Sequence, residues 1–201
     1  MKPLLRIAVP VAFAVGLGAC SLGGMLGGGG KTPANLLSLT PQAPLPEQIV
    51  RSASAGEAVT IGVPAIAREL RTVRVPVQVS PTQVAYVTDL QWVDTPDRLF
   101  QELLSETVRR TTSRVVLDTK QATLDPGVSV TGELQRFGYD QASGNVIVRY
   151  DAAKAAAGGN RVDTRRFEAR IPASGDAATV GPAINQAANQ VALEVASWIG
   201  G

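Results

Sequence analysis

The chain holds one thiol, and its neighbours suggest the chemistry it undergoes. Cys20 closes the tetrapeptide Leu17-Gly18-Ala19-Cys20. This resembles a bacterial lipobox: a branched apolar residue, two small residues, then Cys. A thiol in that setting is alkylated with diacylglycerol, the chain is cut before it, and the new amine is acylated. The upstream residues suit such processing. Met1 to Arg6 is short and basic, and Ile7 to Ala19 is an apolar run broken only by Pro10, Gly16 and Gly18. The run is shorter than the ~20 residues a transmembrane helix needs, and it has the layout of a secretory signal. The competing reading is a plain secreted protein whose Cys lies near the cleavage junction by chance. Secreted chains seldom keep a single unpaired thiol without a use for it. Several acyl chains would anchor firmly, at ~0.8 kcal/mol per buried methylene. Ser21 follows the Cys; in enteric bacteria Asp there marks inner-membrane retention, so Ser leans towards the outer membrane.

Other candidate chemistry is thin. No His is present to act as a base, a metal ligand or a pH switch. A single Cys excludes an internal disulfide and any multi-thiolate metal site. Ser has no Gly-x-Ser-x-Gly elbow, and none of Lys31, Lys120 and Lys154 has a Ser three residues before it. Asp89, Asp94 and Asp97 gather near one predicted helix, and Asp118 and Asp125 near a turn. They read as caps and turns, although a carboxylate pair across a cleft is not excluded by sequence. Gly30-Lys31-Thr32 imitates a phosphate loop, but Met25 stands where its first Gly belongs and Pro33 follows. No cofactor or metal is expected.

Charge narrows the partners. The chain has 19 basic and 17 acidic residues, and Lys2 and Arg6 of the signal supply the whole excess. The remaining body is neutral, with no general electrostatic reason to bind nucleic acid. Arg109, Arg110 and Arg114 lie at the end of a predicted helix, where the helix dipole accounts for them. Two tryptophans stand at element ends, Trp92 before the first helix and Trp198 at the close of the last. Each is either core or a partner anchor. Asn185, Gln186, Asn189 and Gln190 form an amide face on the last helix. Amides are buried in an assembly more readily than ions, so Asn185 and Asn189 join Trp92 and Trp198 as candidate partner contacts.

The elements that must position these residues are readable from periodicity. Residues 1–19 read as signal. Residues 20–34 read as the lipidated Cys with a Gly-rich tether reaching ~20 Å. Residues 35–201 read as one domain. Strands are expected at Asn35 to Thr40, Ala58 to Val63, Val73 to Val79, Gln83 to Val87, Arg114 to Thr119, Val128 to Tyr139, Val146 to Tyr150 and Val162 to Ile171. Pro76 lacks an N–H, so its strand lies at an edge or carries a bulge. Val128, Val130 and Leu134 alternate on one parity, Phe137 and Tyr139 on the other, which predicts a bulge near Gln135–Arg136. Thr95-Pro96-Asp97 starts a helix with Thr95 as cap. Leu99, Phe100, Leu103, Leu104 and Val108 then recur at helical spacing. A second helix spans about Ala177 to Ile199. The order predicts an α+β, two-layer fold, a largely antiparallel sheet with two main helices packed on one face.

With those segments in place, the chain resembles the ABC-type transport auxiliary lipoproteins, which include paraquat-inducible protein C. The resemblance runs from about Leu36 to Ile199. Besides Cys20 it rests on the early Leu-Leu-Ser-Leu, on Val59 to Pro64 with Ile66 to Leu70, and on Arg74-Val75-Pro76-Val77. It continues through Tyr86 and Leu90-Gln91-Trp92 entering the helix Asp97 to Leu104, the strand Val128 to Phe137, Arg166-Phe167 and the Ala/Asn/Gln-rich last helix. It implies a non-enzymatic accessory of an ABC lipid-transport system. Such an accessory docks a periplasmic protein carrying mammalian-cell-entry (MCE) domains at a membrane of a Gram-negative envelope, with the outer membrane's inner leaflet favoured. The implied partners are that MCE protein and, through the lipid, the membrane; a homo-oligomer stays open. Two rivals remain: an outer-membrane assembly or envelope-structural lipoprotein, and a periplasmic hydrolase using carboxylates.

Overall fold

The computed structural model describes residues 35–200 apart from 49, 124, 126, 157, 159 and 160. The signal, Cys20 and the tether lie outside the described residues. The long element of the sheet is a meander near its middle: β6 (Val128–Asp140), β7 (Asn145–Ala155) and β8 (Val162–Pro172), antiparallel throughout. β6 carries the expected bulge. Leu134 faces Tyr150 and Arg136 faces Arg149, leaving Gln135 as the extra residue. That one insertion lets Val130 and Leu134 before it, and Phe137 after it, all reach the core.

The other side of β6 is served by three short pieces of earlier chain, all parallel to it. β1 (Val59–Ile61) pairs at Val128 to Val130, β2 (Ala65–Ile66) at Glu133 and Leu134, and β3 (Arg74–Ser80) at Tyr139 and Asp140. β3 forms a hairpin with β4 (Gln83–Gln91), and β1 also pairs with β5 (Val116–Leu117). The sheet is therefore mixed, with antiparallel pairing in its long ladders. Pro76 does not sit at an edge, because β3 is flanked on both sides; the register shift between Arg74 and Pro76 shows the bulge instead.

Two helices cover the core face. α1 (Pro96–Thr111) buries Leu99, Phe100, Leu103, Leu104 and Val108. Its start differs in detail from expectation. Thr95 has the extended backbone of a cap (φ −67°, ψ 146°) but makes no side-chain capping bond. The Asp94 carboxylate takes the Thr95 N–H instead, at 2.7 Å. α2 (Ala177–Gly200) begins after Asp176, whose carboxylate accepts the Thr179 N–H at 2.8 Å. That bond holds the Asp176 carboxyl below its usual range. α2 buries a stripe of Val180, Ile184, Ala187, Ala188, Val191, Val195 and Ile199 against α1, β7 and β8. Small residues let it lie close: at Gly181, an added Cβ would stand 3.3 Å from the Leu37 side chain.

Aromatic rings join the layers. Phe137 of β6 lies 5.4 Å from Trp92 and 6.3 Å from Phe100, and Phe100 lies 5.2 Å from Tyr150 of β7. Each such pair adds about 0.5–1.5 kcal/mol beyond its buried area. Gly132 is required where β6 passes this cluster. A Cβ there would meet the Asp151 carbonyl at 2.3 Å and the Tyr150 ring at 2.7 Å.

Candidate functional site: the amino-terminal strap

The residues expected to form a first strand, Asn35 to Thr40, make one ladder contact among the described residues. Leu37 bridges Trp92 in parallel, its N–H bonding the Gln91 carbonyl at 2.7 Å and its carbonyl accepting from Val93 at 2.9 Å. The chain then leaves the sheet and crosses the helices as an extended strap, residues 37–43. Pro41 and Pro44 help to keep it out of helix and ladder alike. With no neighbouring strand, its backbone groups need other partners, and side chains of both helices supply them.

The Asn185 Oδ1 accepts the Thr40 N–H at 2.8 Å. The Asn189 Oδ1 accepts the Gln42 N–H at 2.7 Å, while its Nδ2 donates to the Thr40 carbonyl at 2.9 Å and to the Asn185 carbonyl at 2.8 Å. Asn189 is only 1% exposed. Arg110 of α1 donates through Nη1 to the Ala43 carbonyl at 2.9 Å, with its Nε on Glu106 at 2.7 Å. An amide offers both an acceptor and a donor in one plane, so Asn189 reads a strand-like backbone much as a neighbouring strand would.

These contacts place the amide pair differently from its expected role as an outward contact. Asn189 is buried under the chain's own strap, and Asn185, half-buried, has its Oδ1 committed there. Trp92 is core, 1% exposed, and its indole N–H is buried without a partner. Trp198 is half-buried at the end of α2. It packs 5.6 Å from Phe167, carries the Lys154 ammonium 4.7 Å over its ring, and its own carbonyl accepts from that ammonium at 2.9 Å. Sequence reading missed the strap itself and the part of Arg110 in holding it.

The remaining candidates are occupied by local structure. Asp125 takes the Gly56 and Ala58 N–H groups at 2.7 and 3.0 Å, and Asp118 takes those of Lys120 and Gln121 at 2.7 and 2.8 Å. Arg109 pairs with Glu106 at 3.7 Å, and Arg114 donates to the Glu57 carbonyl at 3.4 Å. Asp97 has one carboxylate oxygen buried without a partner. Among the described residues no group of three or more His, Cys, Asp or Glu side chains could hold a metal ion. No described helix is long and apolar enough to cross a membrane.

Comparison with known proteins places the domain. The fold is similar to that of a DUF330-family protein from Xanthomonas campestris, with a TM-score of 0.64 at 19% identity over 84% of this chain and 92% of that one. It is also similar to an uncharacterized protein of known structure, with a TM-score of 0.59 at 13% identity over 83% of this chain and 97% of that one. At such identities the likeness shows fold alone. No curated protein matches the sequence. Residues 37–196, from the start of the strap almost to the end of α2, match the sequence model of the ABC-type transport auxiliary lipoprotein component, and the chain belongs to that family.

Proposed function

We propose that the chain is a lipid-anchored, periplasm-facing accessory of an ABC-type lipid transporter. It holds the transporter's MCE-domain protein at a membrane and carries out no chemistry of its own. The observation that carries this reading is the family match over residues 37–196 in a chain whose one thiol closes a lipobox. The strap supports it physically. A tether ending at Cys20 would lead into residues 37–43, which are fastened to β4, α1 and α2 together. Tension on the anchor would then be shared by the whole body. Ser21 supports the outer membrane's inner leaflet as the site.

Two measurements test the reading. Cys20→Ala is expected to block processing or move the protein out of the membrane fraction; full retention of the variant in that fraction would overturn the anchor. The native lipoprotein, solubilised from its own envelope, is expected to co-purify with an MCE-domain protein. Recovery without one, where the operon encodes it, would overturn the docking role.

A further inference from the structure

The chain enters the described domain beside a small apolar patch. Three lines of backbone lie side by side there. The Trp92 N–H bonds the Val73 carbonyl at 2.7 Å, and the Val93 N–H bonds the Leu37 carbonyl at 2.9 Å. Leu37 and Trp92 pair and turn inward to the core. Alternation then puts Leu36 and Val93 on the opposite face, which the helices leave uncovered. They are 50% and 54% exposed. Arg74 precedes the core residue Val75 and pairs with Gln91, so it shares that outer face. Its guanidinium stacks 4.2 Å over the Tyr86 ring. Neighbouring lines lie ~4.8 Å apart, which brings the backbones of Leu36, Val93 and Arg74 within about 10 Å of one another.

The charges nearby balance in number but not in exposure. Arg68, Arg71, Arg74 and Asp89 are exposed, while Glu69 and Asp94 are half-buried. The Asp94 carboxylate is already bonded to the Thr95 N–H. Three cations against three carboxylates leave no net charge for an anionic leaflet to repel. The ion pairs among the described residues use none of these three arginines.

We propose that this face rests on the bilayer that holds the anchor, with Leu36 and Val93 at headgroup level and the Arg74 guanidinium on lipid phosphate. This contact rests on the lipidation of Cys20 proposed above. Position and size select the occupant. Fifteen residues separate Cys20 from Asn35, and a Gly-rich linker of that length reaches ~20 Å. A domain of this length is roughly 40 Å across. Turning the helix side to the membrane would therefore stretch the tether to about twice its ordinary reach. Two aliphatic side chains and one ring fall far short of the ~800 Å² that each partner buries in a stable protein interface. A bilayer needs no such area, because the anchor makes the second contact intramolecular. Aliphatic side chains beside a tyrosine and a long cationic stem also suit the boundary between lipid and water.

Spin labels on the full lipoprotein test it, in vesicles of phosphatidylethanolamine and phosphatidylglycerol. Val93→Cys carries the label on the patch, and Ser197→Cys carries it on the exposed side of α2. The lipidated thiol of Cys20 takes no label. The protein is expected to float with the vesicles. Oxygen should reach the label at position 93 more readily than a water-soluble nickel complex does, and the label at position 197 should show the reverse. Arg74→Glu sets a carboxylate against the lipid phosphates and is expected to return position 93 to the pattern of position 197, with the protein still floating. Protein that does not float overturns the anchor and this contact together. Protein that floats with both labels equally open to the nickel complex leaves the anchor standing and overturns this contact. So does a label at position 93 that is shielded only after an MCE-domain protein is added, which marks the face as a protein interface. Shielding that survives Arg74→Glu overturns the phosphate contact.

Discussion

Replacing Asn189 by Ala should loosen the strap and weaken the whole fold. The side chain makes three bonds of 2.7–2.9 Å at 1% exposure. The one to the Asn185 carbonyl is duplicated by the helix's own backbone pairing. The two to Thr40 and Gln42 have no substitute, and each buried bond is worth about 1 kcal/mol net. The expected loss is about 2 kcal/mol, read as a lower urea midpoint at unchanged m. Amide hydrogen exchange at Thr40 and Gln42 should speed up by roughly 30-fold, the same energy expressed as a rate. Asn189→Asp should be worse at neutral pH. It keeps an oxygen for the Gln42 N–H but turns another towards the Thr40 and Asn185 carbonyls, with little water to screen it. Burial raises the folded-state pKa of such a carboxyl, so the folded state binds more protons and stability falls as pH rises. Relative to wild type, the Asp variant should recover on acidification and the Ala variant should not. An Ala variant within about 0.5 kcal/mol of wild type, with unchanged exchange at Thr40 and Gln42, would refute the view that Asn189 holds the strap.

Three more outcomes follow from the described geometry. Tyr150→Phe should raise stability by about 1 kcal/mol in thermal unfolding, because the hydroxyl is buried without a partner; burial also pushes its pKa up. Gly132→Ala should cost about 1–3 kcal/mol in the same assay, since its Cβ would meet the Asp151 carbonyl at 2.3 Å. The side-chain bond from Arg166 holds the Asp151 carboxyl below its usual range. Its stabilising effect is therefore present above the unfolded-state pKa of ~3.9 and lost as pH falls below it. Urea midpoints taken from pH 7 to pH 2 should show Asp151→Asn with a shallower acid decline than wild type.

Much of this architecture could be read from residue order because the signals were local. The parity change between Leu134 and Phe137 needs one inserted residue, and Gln135 is that residue. Pro96 and the apolar spacing after it mark α1 to within its first turn. Pairing partners far apart in the chain were not readable. Nothing near Val59 says that it lies parallel to Val128, and the expected antiparallel character holds for β6 to β8 while β1, β2 and β3 meet β6 in parallel. The amide face of α2 was visible, but its ligand was not. An Asn pair looks the same whether it meets a partner or a backbone well over a hundred residues earlier in its own chain. Asn35 to Thr40 has the composition of a strand, yet Pro41 and the Asn185 and Asn189 amides draw it off the sheet after one bridge.

The order in which β6 receives its neighbours bears on how the chain is made. β1, β2 and β3 precede it in sequence, and although β3 can pair with β4 and β1 with β5, none can join the main sheet until Val128 to Asp140 exists. The strap waits longer still, for Asn185 and Asn189 near the carboxyl end. β6, β7 and β8 need only one another, so contacts of short sequence separation can form first and the distant ones afterwards. A ribosome releases the chain from its amino end at ~5–20 residues per second. For roughly 3–12 seconds at that rate, then, the leading half lacks the strand that ties its pieces into one sheet. For the exported lipoprotein proposed above, which would cross a membrane as an extended chain, that delay would be an advantage: the part that leads the way out is the part least able to fold beforehand.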